Sequence, residues 1–317
     1  MQKHIQSVSA YVVLMAAIMT ALTWAMPAKI VGLFVVSGLA VGSLYALGGI
    51  GLVVLYRATG VLNLGAGAIG AFSVMLAWQL DVRGWPAPLT WLAAIGVATG
   101  LSLIYGRLIA PRLAWRDPVV KAVATLGLAL IVLGVTAFLW EDDVRKFSLP
   151  TDEVGVTILG LRVTVTRLIV ACAAVAIVVG ISLFLAWTRV GLQMRSLAND
   201  RDLSALLGVP ILRVETQAWG IAGAIAGFTG LMFGDLVRLE PTIITFLVIP
   251  CIAAAICGRL HSLGLVLVGG LSIGVIESLM TLSPTFKSVR SMAPFVIAAL
   301  VLMWMQRGRR PLFAGDQ

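Results

Sequence analysis

The sequence predicts an all-α polytopic integral membrane protein, and three observations carry that prediction. Of its 317 residues, 60% are hydrophobic and only 12% are charged. The apolar residues gather into long runs separated by short polar loops, the pattern of helices that cross a bilayer. Thirty-three glycines suit helices packed in lipid, where small residues let backbones approach closely. The net charge of +9 would suit nucleic acid in a soluble protein. Here most Lys and Arg fall in short loops, so they read as orientation signals and no nucleic-acid partner is expected.

Ten apolar segments follow one another, at roughly 8–26, 30–56, 61–80, 86–106, 119–140, 167–188, 214–236, 242–257, 263–281 and 291–306, with eight full spans as the alternative count. The first follows Lys3 and His4 and is read as a retained helix rather than a signal peptide. A span needs about 20 apolar residues. The segment 242–257 is short and carries Pro250, so it reads as a broken or re-entrant helix, covered by protein or lining a cavity. Cys172, Cys251 and Cys257 all lie in apolar runs, and with only His4 and His261 beside them no metal-site spacing exists.

Charge sets the expected topology. With the N-terminus cytoplasmic, loop 107–121 carries Arg107, Arg112, Arg116 and Lys121 inside, against Asp117. The segment 189–213 and the C-terminus, with Arg307, Arg309 and Arg310, also fall inside. Loop 141–166 falls outside with Glu141, Asp142, Asp143, Asp152 and Glu153, and its Val154, Val156, Ile158 and Val163 suggest a small hairpin. Loop 282–290, with Lys287 and Arg290 and no acid, goes against the rule and is outvoted. The whole of 1–317 is read as one transmembrane domain, with cytoplasmic segment 189–213 and periplasmic loop 141–166.

The segment Arg189 to Arg213 is a polar island between two apolar runs. Its middle, Asn199 to Leu207, predicts a short helix. Asn199 is the expected N-cap, and Asp200 and Asp202, flanking Arg201, suit the positive end of the helix dipole. Leu203, Leu206 and Leu207 share one face, Gly208 ends the helix and Pro210 follows. A short amphipathic helix held at the membrane surface between two spans is a docking element.

Two glycine-rich stretches stand out. Gly220, Gly223, Gly227, Gly230 and Gly234 follow at steps of three and four and share one face of a helix. They read either as Gly-x-x-x-Gly packing or as a wall that slides during transport. The stretch from Gly42 to Gly70, with Gly65 and Gly67 beside Asn63, reads either as a tight turn capped by Asn63 or as an unwound segment near a substrate route. Glu277 lies near the outer end of its apolar segment, where function and structural hydrogen bonding are both open readings. Asn63, Gly65, Gly67, Gly223, Gly227 and Glu277 are therefore the candidates for a translocation path.

Several chemistries are excluded. No Gly-Lys dipeptide occurs, so there is no P-loop to cradle ATP phosphates, and no His-Glu-x-x-His motif occurs either. Gly270-Leu-Ser-Ile-Gly274 matches a nucleophile-elbow pattern but sits in an apolar span and reads as helix packing. No catalytic or metal-ligating set can be assembled, so an enzyme is not expected. With Glu277 nearly alone as a buried ionisable group, energy comes from elsewhere or flow is passive.

Four stretches, Gly42-Ser-Leu-Tyr-Ala-Leu with Leu55 to Asn63, Val123-Ala-Thr-Leu-Gly-Leu128, Thr188 to Asp200 through Leu207-Gly-Val209, and Leu267 to Ser278, together resemble the permease subunits of branched-chain amino acid ATP-binding-cassette (ABC) importers. The resemblance implies a bacterial inner-membrane, multi-pass permease. It implies a second, related but non-identical permease, two cytoplasmic ATP-binding subunits holding ATP and Mg, and a periplasmic or extracellular substrate-binding protein. No cofactor is expected on this chain. The short helix from Asn199 to Leu207 would then be the element that sits in an ATPase cleft. Where the family tends to carry a Gly-Gly pair, this chain has Cys257-Gly258-Arg259. The family moves branched-chain amino acids and related small polar solutes. The alternative is a self-sufficient secondary transporter or channel.

Overall fold

A computed structural model describes residues 27–141, 145, 147, 151, 154–158, 161–237, 239–282 and 289–306. Helix α1 (Ala28–Thr59) ends at Gly60, whose φ of 73° reverses the chain. Then come α2 (Ala66–Val82), α3 (Ala87–Leu108), the one-turn α4 (Ala110–Leu113) and α5 (Pro118–Trp140). A hairpin of β1 (Gly155–Ile158) and β2 (Leu161–Thr164) pairs Gly155 with Thr164 and leads into α6 (Val165–Trp187). Helices α7 (Arg189–Asn199), α8 (Arg201–Leu206) and α9 (Ile211–Leu236) follow. The chain then forms α10 (Pro241–Phe246), α11 (Val248–Cys257), α12 (Leu263–Met280), a 3-10 turn (Arg290–Met292) and α13 (Ala293–Gln306).

Among the described residues, six helices (α1, α3, α5, α6, α9 and α12) are long and apolar enough to cross a membrane. The expected ten spans, or eight, are therefore corrected downwards. The segment 61–80 yields only the 17-residue α2, because the chain from Gly60 to Gly65 leaves the helix. The segment 291–306 yields a 14-residue helix, and 8–26 lies outside the described residues. The segment 242–257 is broken, as its proline suggested, but the corner is at Leu247. Pro250 is the third residue of α11, where its missing N–H costs nothing because first-turn donors have no helical partner.

Short helices still run the length of the bundle. Helix α2 lies along α5, tied near its start by Leu64 N–H donating to Thr125 Oγ1 (3.1 Å) and near its end by Trp140 Nε1–H donating to Gln79 Oε1 (3.0 Å). At the hairpin end, Arg145 N–H donates to the Leu239 carbonyl (3.1 Å) and its guanidinium lies 4.5 Å over the Trp78 ring. At the opposite end, Arg57 reaches the His261 carbonyl at 3.5 Å.

Glycine decides the packing. Gly38 and Gly42 on α1 interlock with Gly270 and Gly274 on α12, each pair at Gly-x-x-x-Gly spacing. A Cβ on Gly274 would lie 2.4 Å from Gly42 Cα, and one on Gly42 would lie 2.7 Å from the Gly270 carbonyl oxygen. At this separation dispersion and backbone approach replace the hydrophobic drive that lipid does not supply. Ser278 Oγ donates across the same seam to the Phe34 carbonyl at 2.7 Å. The glycine face of α9 packs likewise. Gly223 and Gly227 take Ala98 of α3, and Gly230 meets the Gly70 backbone of α2. Helices α5 and α6 turn Leu130, Ile131, Phe138, Val175 and Val179 outward, an apolar surface suited to lipid.

Candidate coupling elbow and translocation path

The polar island folds as two helices. Thr188 caps α7 by accepting Gly191 N–H (3.0 Å), and Gly191 lets the chain fold back onto Phe184 and Leu185. Gly191, Met194 and Leu197 are the buried face of α7. Asn199 is not the N-cap of the short helix; it is the last residue of α7. The cap is Asp200, extended at φ −154°, whose Oδ1 accepts Leu203 N–H at 2.9 Å. A carboxylate there also meets the positive helix end, which is why Asp200 takes the role from its neighbour. Gly208, at φ 80°, closes the far end by donating to the Ala205 carbonyl (3.0 Å).

Six residues are too few to hold a helix alone, so α8 is held by its neighbours. Ser204 and Ser196 hydroxyls lie 2.7 Å apart, linking α8 to α7. Arg201 forms an ion pair with Glu215, near the start of α9, and stacks 5.2 Å over the Trp115 ring from the 107–121 loop. The Glu215 side chain is only 5% exposed. Asp202 is exposed, and on the outward face Leu203, Leu206 and Leu207 are 53%, 85% and 72% exposed.

The candidate path residues divide into four places. Asn63 and Gly67 line a cavity of about 40 Å³ with Gly70, Thr229, Phe233 and Leu247, about the room of one water. Two breaks in helical structure meet there: the unwound Gly60 to Gly65 and the corner at Leu247. Irregular backbone inside a bundle needs its polar groups satisfied internally. Asn63 Oδ1 accepts Gly65 N–H (3.0 Å), Thr59 Oγ1 accepts Val61 N–H (3.3 Å), and Thr125 Oγ1 accepts Leu64 N–H and lies 3.3 Å from the Leu62 carbonyl. Asn63 closes a local turn on Gly65 N–H and does not cap α2, whose N-cap is Gly65 with no side-chain bond; the segment before α2 is unwound. Gly65 faces Thr125 and Leu128, while Gly223 and Gly227 lie in the α9–α3 contact, away from this cavity.

Glu277 lies elsewhere, on α12. Its Oε2 accepts the Tyr45 hydroxyl at 2.8 Å, and both residues line a separate cavity of about 410 Å³ at the hairpin end. Glu215, Thr125 and Tyr45 were not singled out from the sequence. Glu215 carried a signal: an acid one turn into an apolar helix needs a partner. Thr125 and Tyr45 carried none, since each acts on a segment distant in sequence.

A multi-pass helical bundle with an amphipathic elbow and broken helices around a cavity is the architecture of an integral membrane protein. Residues 34–305 match the family of the permease component of the branched-chain amino acid transport system, and the chain belongs to that family. It is 27% identical over 287 residues to the high-affinity branched-chain amino acid transport system permease protein LivH of Salmonella typhimurium, covering 84% of this chain and 92% of that protein. It is 25% identical over 260 residues to BraD of Pseudomonas aeruginosa, named for the same transport system, covering 77% and 84%. It is also 23% identical over 286 residues to the L-arabinose ABC transporter permease protein AraH of Azospirillum brasilense, covering 84% and 79%. The chain is a permease subunit of an ABC importer of the branched-chain amino acid type, multi-pass in the bacterial inner membrane.

Proposed function

We propose that this chain carries aliphatic, branched-chain amino acids inward, with energy delivered through α8. Two cytoplasmic ATP-binding subunits, holding ATP and Mg, would seat Leu203, Leu206 and Leu207 in their clefts. A second, related permease completes the pore, and a periplasmic or extracellular binding protein delivers substrate. Residues 1–317 then act as one transmembrane domain, with both termini and the coupling segment 189–213 cytoplasmic and loop 141–166 periplasmic. The path runs by Asn63, Gly65 and Gly67, with Gly223 and Gly227 on the helix that moves.

One observation carries this reading: α8 exposes three leucines while its Arg201 is fixed to Glu215. Exposed apolar side chains on a short anchored helix fit a protein partner, and the ion pair passes any push on α8 into α9. The test is the double change Leu206→Asp with Leu207→Asp. It should release the ATPase from detergent-purified complexes while leaving the permease folded, since neither side chain packs inside. Retention of the ATPase by the double variant would overturn the docking role.

A further inference from the structure

The cavity of about 410 Å³ at the hairpin end is within the size range of small-molecule sites. Its walls combine features that rarely meet inside a bundle. Glu277 of α12, Arg167 of α6 and Arg290 of the 3-10 turn all line it. Among the described residues no ion pair closer than 4 Å joins any two of these three, and Arg290 is near enough to act electrostatically on Glu277. The Tyr45 hydroxyl fixes Glu277 Oε2 at 2.8 Å. A carboxylate accepts about four hydrogen bonds, so Glu277 is oriented and keeps acceptor capacity. The rest of the wall includes the apolar Leu33, Phe34 and Leu236.

Each simpler solute fits badly. A cation would face two arginines, an anion would face Glu277, and a neutral sugar would supply no counter-charge to the half-buried Glu277 and Arg167. A solute carrying both signs on a small centre, with an aliphatic side chain, matches every wall. We propose that this cavity is a transit site for a zwitterionic aliphatic amino acid, its ammonium against Glu277, its carboxylate against Arg167 and Arg290, and its side chain against Leu33, Phe34 and Leu236. The proposal rests on the amino-acid reading of the chain and names where that substrate is held.

The test uses the complete permease–ATPase complex in lipid nanodiscs without the binding protein, so that this site alone is read. Saturation-transfer NMR with L-leucine, 4-methylpentanoate (no ammonium) and 3-methylbutylamine (no carboxylate) should show leucine preferred. In Glu277→Gln, leucine binding should weaken by about tenfold to a hundredfold, the worth of a charged hydrogen bond, and its advantage over 4-methylpentanoate should vanish. In Arg290→Gln, at an exposed position, the advantage over 3-methylbutylamine should shrink instead. Unchanged discrimination in both variants, with ATP-driven leucine uptake by the full importer also unchanged, overturns the transit site alone. Absence of ATP-driven leucine uptake by the wild-type importer overturns the amino-acid reading and the site with it.

Discussion

Arg201 opens α8 and closes an ion pair with Glu215 of α9, fourteen positions along the chain. Between them lie the exposed leucines and the Gly208 turn, so a loop that would otherwise be slack is clamped at its base. The two ends of the pair differ: Glu215 is 5% exposed, Arg201 21%. Removing either partner leaves a charge inside the bundle: Glu215 is buried, and Nε and Nη2 of Arg201 are buried without a hydrogen-bond partner among the described residues. Arg201→Ala and Glu215→Gln should each destabilise by about 3 kcal/mol. Together they should cost less than their sum. Thermal melts of the purified complex in a double-mutant cycle check this; strict additivity would show that the pair does no mechanical work.

Thr125 is the second place where one side chain holds a segment distant in sequence. Thr125→Val keeps the shape and removes the acceptor of Leu64 N–H within the bundle. A loss of about 1–3 kcal/mol is expected. Faster amide exchange confined to residues 60–65 would identify the unwound segment as its site.

The α1–α12 seam predicts a contrast between glycines. Gly274→Ala drives a methyl to within 2.4 Å of Gly42 backbone atoms and should cost about 1–3 kcal/mol. Gly134→Ala on α5, where no atom lies within 4 Å, should be neutral or stabilise by up to about 1 kcal/mol from helix propensity. Equal effects on melting temperature would refute the interlock.

Arg259 and Leu260 adopt φ of 55° and 57° in the turn between α11 and α12. A side chain there costs about 1–2 kcal/mol of backbone strain, part of which glycine recovers. Arg259→Gly should raise thermal stability by about 0.5–1 kcal/mol after the unfolded-state entropy of glycine is subtracted. No gain in the melt would mean that the arginine side chain compensates.

Most of the fold was legible where it depends on local pattern. The apolar runs gave the positions of the long helices, and Pro250 with a short run announced the broken α10–α11 pair. The valines of 154–163 gave the hairpin, and Gly208 gave the end of α8. What escaped depends on partners. Asn199 and Asp200 are adjacent and both cap well, and only the extended backbone at Asp200 decides between them. The span count was too high because hydropathy cannot see that Gly60 to Gly65 unwinds, a choice made possible by Thr125 sixty-one residues away from Leu64. The glycine stripe of α9 was visible, but its partners on α2 and α3 were not. Glu277 was visible too; the Tyr45 that orients it and the two arginines that share its cavity come from other elements.

The seam between α1 and α12 also sets a timetable. Tyr45 and Glu277 are 232 residues apart. At about 5–20 residues per second of synthesis, α1 lies in the membrane for about ten to fifty seconds before the helix that fills its glycine groove is made. Until then the groove must be covered by lipid or by the insertion machinery, and a chain cut short before α12 would display it permanently. Quality control could read that open groove as the mark of an unfinished permease.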